Sequence, residues 1–252
     1  MAPKILITND DGIDAPGIKA LAKILKPLGT VYTVAPSGER SAAAHSITFN
    51  HPLRVQHINK TSVAVDGTPT DCVMFGVYGL LNSKRPDLVV SGINNGPNLG
   101  DDITYSGTVS AALEGTLLKI PSIAISMGDR KNCKYMAGAE YIRYLCRKIL
   151  KEGLPGNVFL NVNIPNVARS RIKGIIISKQ GKRIYRDMFL KRLDPRGRSY
   201  YWLGGMEPSY EKENGTDFEA IERNMIAVTP LHYDLTDYPA MTLLKSLEKV
   251  KL

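Results

Sequence analysis

The sequence has 252 residues, 43% hydrophobic and 23% charged, with a formal net charge of +9; these are ordinary values for a globular chain with a full core. No apolar run approaches the length of a membrane span. Three scattered cysteines (Cys72, Cys133, Cys146) without C-x-x-C spacing argue against a disulfide framework or a zinc site. The charge is local: eleven Lys or Arg and two Asp fall between Arg169 and Arg198, while the other 22 basic and 22 acidic residues cancel. A solvated face or an oligomer arm fits that segment at least as well as a polyanion site.

The opening "MAPKILIT" runs straight into a strand pattern with no long apolar leader, so the cytoplasm is the expected compartment and no membrane partner is expected. "KILIT" (4–8) reads as a buried strand. In "GIKALAKILKPLG" (17–29), Ile18, Leu21, Ile24 and Leu25 share one helical face, and Pro27 and Gly29 close the helix. "VYTVAP" (31–36) is the next strand. "TPTDCVMFGVYGLL" (68–81) is a helix with Thr68 as N-cap, Pro69 at its first position and Asp71 in its first turn. "DLVVSG" (87–92) is a strand, "GTVSAALEGTLLKI" (107–120) a helix, "PSIAIS" (121–126) a strand, "YMAGAEYIRYLCRKIL" (135–150) a helix and "NVFLNVNIP" (157–165) a strand.

Short apolar strands alternating with helices predict an α/β, doubly wound, Rossmann-like and mainly parallel sheet with both faces covered. Beyond about residue 170 the rhythm fades. "GIIISKQ" and "MIAVTPL" still read as strands, whereas 180–224 is polar and rich in Gly, Arg and Tyr, which suits a hairpin, a protruding arm or a partner-binding element. "DLTDYPAMTLLKSLEKV" closes the chain as a loop and a helix. The expected division is a catalytic core over 1–180 and, over 181–252, an arm, a returning strand and a helix used in oligomerisation.

Ligands of open parallel sheets bind beyond the carboxyl ends of the strands. Here those ends read "TNDDG" (8–12), "APSGERSAAAHS" (35–46) and "SGINNGPNLGDD" (91–102), followed by "YSGTVSAALEG" (105–115). Asp10 and Asp11 supply hard oxygens, and Ser41 and the Asn94/Asn95 pair offer neutral ones. That donor set suits Mg²⁺, Mn²⁺ or Ca²⁺, and an open site of this kind can polarise a phosphoryl oxygen and generate a nucleophilic hydroxide. Ser106 and Thr108 flank Gly107 at a helix start, where free N–H groups and the positive dipole end favour an anion. Singly, each feature also fits a plain role: Asp as a helix cap, Ser41 in a turn, His45 as a hydrogen-bonded structural histidine, Asn94, Asn95 and Asn98 as turn formers. Their convergence on one sheet edge carries the reading. The first turn lacks G-x-G-x-x-G, the aspartates are adjacent where a haloacid-dehalogenase-type nucleophile needs Asp-x-Asp, and no G-x-S-x-G elbow occurs.

Together "ILITNDDGIDAPGIKAL", "VAPSGERSAAAHSIT", "DGTPTDCV", "DLVVSGINNGPNLGDDITYSGTVSAALEG" and "PSIAIS", with "TDFEAIERNMIAVTPL" (216–231), resemble the SurE (survival protein E) family of nucleotidases. The resemblance implies a metal-dependent phosphomonoesterase acting on nucleoside 5′- and 3′-monophosphates, and in some members on short polyphosphate. It implies Asp10, Asp11, Ser41 and Asn94 as ligands of one Mg²⁺ or Mn²⁺ per subunit, selecting Asn94 over Asn95. It also implies Asn98, Ser106, Gly107 and Thr108 around the phosphate, and homodimers or homotetramers with an exchanged C-terminal arm. Asp10, Asp11, Asn98 and Ser106 are the expected catalytic residues, with either carboxylate able to orient the attacking water, and His45 is a candidate for substrate contact or proton transfer. The rival expectation is a nucleic-acid-binding protein that uses the basic 169–198 segment. A middle position has that segment guiding polyphosphate or short RNA toward the phosphatase site.

Overall fold

The computed structural model describes residues 2–185, 189–204 and 209–249. Its strands are β1 (Lys4–Thr8), β2 (Thr30–Pro36), β3 (Val55–Asn59), β4 (Ser62–Val65), β5 (Leu88–Asn94), β6 (Ser122–Met127), β7 (Val158–Ile164), β8 (Ile175–Ile177), β9 (Arg183–Ile184), β10 (Phe189–Leu193), β11 (Ser199–Leu203), β12 (Ser209–Tyr210) and β13 (Ile226–His232). Its helices are α1 (Pro16–Leu25), α2 (Pro69–Met74), α3 (Gly107–Leu117), α4 (Ala139–Glu152), α5 (Asp217–Glu222) and α6 (Tyr238–Leu244).

Nine strands form one sheet in the order β3-β4-β2-β1-β5-β6-β7-β13-β8. Every neighbouring pair is parallel except β3 with β4 and β7 with β13. Alternation along β1 decides the two layers. Ile5 and Ile7 point into a core shared with Ile18, Leu21, Ile24 and Leu25 of α1 and Ile142, Cys146 and Ile149 of α4. Leu6 points the other way, into a core shared with Cys72 and Val73 of α2 and Ala111 of α3. Each fully buried Leu or Ile contributes roughly 1.5–3 kcal/mol of hydrophobic stabilisation, so the sheet is fixed between two helical layers. This is the doubly wound α/β arrangement expected from the strand–helix rhythm.

Several elements differ locally from the sequence pattern. The 68–81 helix is α-helical only to Met74 and continues as a π-helix over Phe75–Leu80. The 135–150 helix begins with a 3₁₀ turn at Tyr135–Gly138 and runs on to Glu152. β3 and β4 are not predicted: β3 is exposed at all five positions and shows no apolar alternation, and β4 has only four residues. Within the stretch read as irregular, α5 is a six-residue helix capped by the Thr216 hydroxyl, which accepts from the Glu219 N–H. The closing helix spans Tyr238–Leu244 and passes into a 3₁₀ turn to Lys249; Val250 of the predicted helix and Arg186 of the basic segment lie outside the described residues. β10 and β11 form a separate antiparallel hairpin, whereas β13 returns to the main sheet between β7 and β8. Among the described residues no helix is long and apolar enough to cross a membrane.

Candidate active site

Strand register determines which residues meet at the carboxyl edge of the sheet. Thr8 of β1 lies opposite Ser91 of β5, so Asp11 and Asn94 each stand three residues past the same pair. The Asn95 N–H closes that gap by donating to Asp11 Oδ2 at 3.0 Å. On the other side, the Ile13 N–H donates to the Pro36 carbonyl at the end of β2 (2.8 Å), and the Arg40 N–H donates to the Asp10 carbonyl (2.7 Å). The segment carrying Ser41 is thereby held beside the two aspartates.

The start of α3 completes the cluster. Ser106 is its N-cap, its hydroxyl accepting from the Val109 N–H at 3.1 Å, which leaves the hydroxyl proton for another acceptor. The Thr108 hydroxyl donates to Asp10 Oδ1, joining residues 98 apart in sequence. A Cβ at Gly107 would stand 3.0 Å from the Asp10 Cβ and 3.2 Å from its Oδ2. Glycine here lets the positive end of α3 lie against the Asp10 side chain.

Asn98 is buried, and its main chain is held by β7. Its N–H donates to Asn163 Oδ1 (2.9 Å), and its carbonyl accepts from Asn161 Nδ2 (2.9 Å) and Asn163 Nδ2 (2.8 Å). Its side-chain amide donates to Ser126 Oγ at 2.7 Å. The Asn94 amide donates to the Gly96 carbonyl (3.0 Å). Ser41 Oγ donates to Glu39 Oε1 (2.7 Å) and is exposed. His45 Nε2 lies 2.9 Å from Glu114 Oε2 on α3, and the Ala44 N–H donates to the Tyr105 carbonyl (3.2 Å), which brings the His45 loop to the start of that helix.

Two adjacent carboxylates at a dry strand end resist ionisation. Burial pushes the Asp10 carboxyl above the ordinary range, against the pull of the Thr108 hydroxyl. Burial, then repulsion from Asp10, raises Asp11 to about 6. Glu39 adds negative charge to both, and Arg130 partly relieves Asp11. Neither aspartate has an ion-pair partner among the described residues. Among the described residues the buried Asn9 Oδ1 likewise has no hydrogen-bond partner. Paired carboxylates relieved only in part by Arg130, with hydroxyl- and amide-bearing side chains on the adjoining backbone, are a donor set suited to a hard divalent ion.

Of the predicted site residues, Asp10, Asp11, Asn94, Ser106, Gly107 and Thr108 meet at one edge through direct contacts or neighbouring backbone, Ser41 and His45 stand on the adjoining loop, and Asn98, in the loop between β5 and α3, is held by β6 and β7. Thr108 is turned to Asp10 by its side chain. Sequence reading missed Glu39, Arg130, and the Asn161, Asn163 and Ser126 support of Asn98. The alternating polar positions of "NVNIP" were the one available signal for the last group. In the basic segment, Arg169, Lys179, Lys182 and Arg183 are paired with Glu140, Glu213, Asp101 and Asp102.

Residues 5–187 match the model of a family described as Survival protein SurE. The 5′-nucleotidase SurE of Geobacter sulfurreducens is 54% identical over 243 residues, covering 96% of this chain and 92% of that protein. The 5′-nucleotidase SurE of Aquifex aeolicus is 48% identical over 247 residues, 98% of each chain. A crystal structure of the SurE protein from Aquifex aeolicus superposes with a TM-score of 0.88 at 47% identity, covering 98% of this chain and all of that one.

Proposed function

The chain belongs to the SurE family, and we propose on that premise that it is a divalent-metal-dependent phosphomonoesterase, a 5′-nucleotidase that converts nucleoside 5′- and 3′-monophosphates to nucleoside and phosphate. The observation that carries the reading is the Asp10–Thr108 contact, which joins paired carboxylates to the anion-attracting end of α3. Asp10, Asp11, Ser41 and Asn94 would hold one Mg²⁺ or Mn²⁺ per subunit. The ion supplies a Lewis acid for the phosphoryl oxygen and lowers the pKa of water.

The protein's own groups do the rest. The Gly107 amide and the Ser106 hydroxyl would stabilise the charge that builds on the equatorial oxygens of the transferring phosphoryl group, with Thr108, turned to Asp10, at the edge of the same pocket. Asn98, its main chain held by β7 and one side-chain N–H given to Ser126, has its second amide N–H to offer to the same oxygens. A carboxylate of the Asp10–Asp11 pair orients the attacking water and takes its proton. His45, held by Glu114 beside the start of α3, is assigned as a substrate contact. Because the grip is on phosphate, many leaving groups fit.

The three cysteines are all free, which suits the cytoplasm. A homodimer or homotetramer accounts for the apolar hairpin, where Phe189, Leu193, Trp202 and Leu203 are each more than half exposed. Asp10→Asn tests the ligand assignment. It should retain the fold by circular dichroism and lose activity by at least about 100-fold at saturating Mn²⁺; near-normal turnover would refute the assignment.

A further inference from the structure

The loop between β5 and α3 carries Asn98 and ends at Ser106, and side chains from far along the chain grip it. The Gly100 N–H donates to Asp217 Oδ2 at 2.8 Å. The other oxygen of Asp217 accepts from the Gly181 N–H and from the Phe218 N–H, both at 3.0 Å. Asp217 is fully buried. It is not needed as the cap of α5, because the Thr216 hydroxyl does that. Its carboxylate instead joins the phosphate loop to the root of the arm at Gly181.

Adjacent contacts repeat the link. The Arg183 N–H donates to Asp101 Oδ2 (3.1 Å), and its guanidinium donates twice to Asp102 Oδ2 (2.9 and 2.6 Å). The Tyr185 hydroxyl donates to the other oxygen of Asp102. The Arg183 guanidinium sits 4.7 Å from the Phe218 ring, which stacks on Tyr210 at 4.4 Å. At Gly100 (φ +54°) a Cβ would meet the Phe218 ring at 2.7 Å and the Gly181 carbonyl at 2.9 Å, so loop, arm root and α5 are packed without slack.

We propose that Asp217, with the Asp102–Arg183–Tyr185 cluster, is a positioning device that sets the phosphate-binding loop according to how the arm root is seated. The inference rests on the assignment of Asn98 and Ser106 to phosphate. It makes residues 181–185 determinants of substrate affinity although none of them is placed at the metal or the phosphate. Anything that shifts the arm root, including a second copy of this chain seated on the neighbouring hairpin, would reach the site through this clasp.

The test compares full-length wild type with Arg183→Gln, Tyr185→Phe, Asp217→Asn and, as a control, Asn98→Ala. The readouts are kcat and KM for adenosine 5′-monophosphate, the inhibition constant of inorganic phosphate, and half-saturating Mn²⁺. A partly unfolded preparation lowers apparent kcat and leaves the constants unchanged. A misplaced loop raises KM and the phosphate constant. Arg183→Gln and Tyr185→Phe should each raise both by about three- to tenfold, the size of one or two lost hydrogen bonds, with half-saturating Mn²⁺ unmoved. Asp217→Asn should raise them further, because one amide oxygen cannot serve three N–H donors. If Asp217→Asn does not fold, the two milder variants decide. Constants unchanged in the clasp variants while Asn98→Ala shifts them would overturn the inference alone. Constants unchanged in Asn98→Ala as well would overturn the phosphate-loop reading and this inference with it.

Discussion

Asp11 carries a cost in the fold that the proposed metal ligation would turn to use. Its carboxyl is raised to about 6 by burial and by Asp10. A carboxyl whose folded pKa lies above its unfolded value binds more protons in the folded state between the two. Stability therefore falls as pH rises from about 4 to about 6, and the full penalty stands above that window. A cation bound at the proposed site would remove the penalty. The chelated protein should thus melt at a lower temperature at pH 7 than at pH 5, and Mn²⁺ should raise the melting temperature more at pH 7. A larger metal-induced shift at pH 5 would contradict this. His45 gives a second prediction at this scale. If its contact with Glu114 serves only to hold it over the site, His45→Ala should raise KM severalfold and leave the shape of the pH–rate profile unchanged. Loss of one limb of the profile would instead assign it a proton transfer. Asp10 and Asp11 were legible in the sequence because an apolar strand ending in two carboxylates is a pattern held within a few consecutive residues. Asp217 and Asn163 were not, because their partners at Gly100 and Asn98 lie 117 and 65 residues away, and no local pattern encodes such pairings.

At the scale of elements, α2 shows how a cap also fastens a loop. Thr68 and Asp71 form a reciprocal capping box, and Asp71 further accepts from the Thr48 N–H (3.0 Å) and hydroxyl (2.6 Å). Thr68→Ala should destabilise the protein by about 1 kcal/mol in urea unfolding. Asp71→Ala should destabilise it by about 2–3 kcal/mol, because it strands three donors at once; equal losses would show that the Thr48 contacts contribute nothing. The cap was readable from "TPTD" alone, since its signals lie within four residues. β3 was not, because an edge strand exposed on both faces carries no alternation. In the π-turn after Met74, a Cβ at Gly76 would stand 2.7 Å from Leu6, a close approach to the sheet that periodicity does not register.

For the whole molecule, the charge segregation seen in the sequence resolves into two parts. Arg169, Lys179, Lys182 and Arg183 are paired within the fold, whereas Arg171, Lys173 and, on the hairpin, Lys191, Arg192, Arg196 and Arg198 are exposed. There Phe189 pairs with Leu203 and Lys191 with Tyr201 on one face, and Leu190 with Trp202 on the other. An isolated two-stranded hairpin is marginal in water, so it needs a surface to pack on. Light scattering should give a mass of two or four times 27.7 kDa, and a Phe189→Lys, Leu203→Lys pair should lower it; a wild-type monomer at micromolar concentration would contradict the oligomer. The strand–helix order and the edge on which the site lies were legible because a parallel sheet sends its ligand loops to one side. The docking of the arm against loop 98–102 was not, since a polar sequence is compatible with many placements.

The most direct measurement is phosphate release from a panel of nucleoside 5′- and 3′-monophosphates by the purified protein, first with EDTA and then with Mg²⁺ or Mn²⁺ restored. Release that vanishes on chelation and returns with either metal is the predicted result, and it would tie the paired carboxylates to the chemistry. Release that persists in EDTA, or none with any metal, would contradict a metal-dependent nucleotidase and leave Asp10 and Asp11 without the function assigned to them.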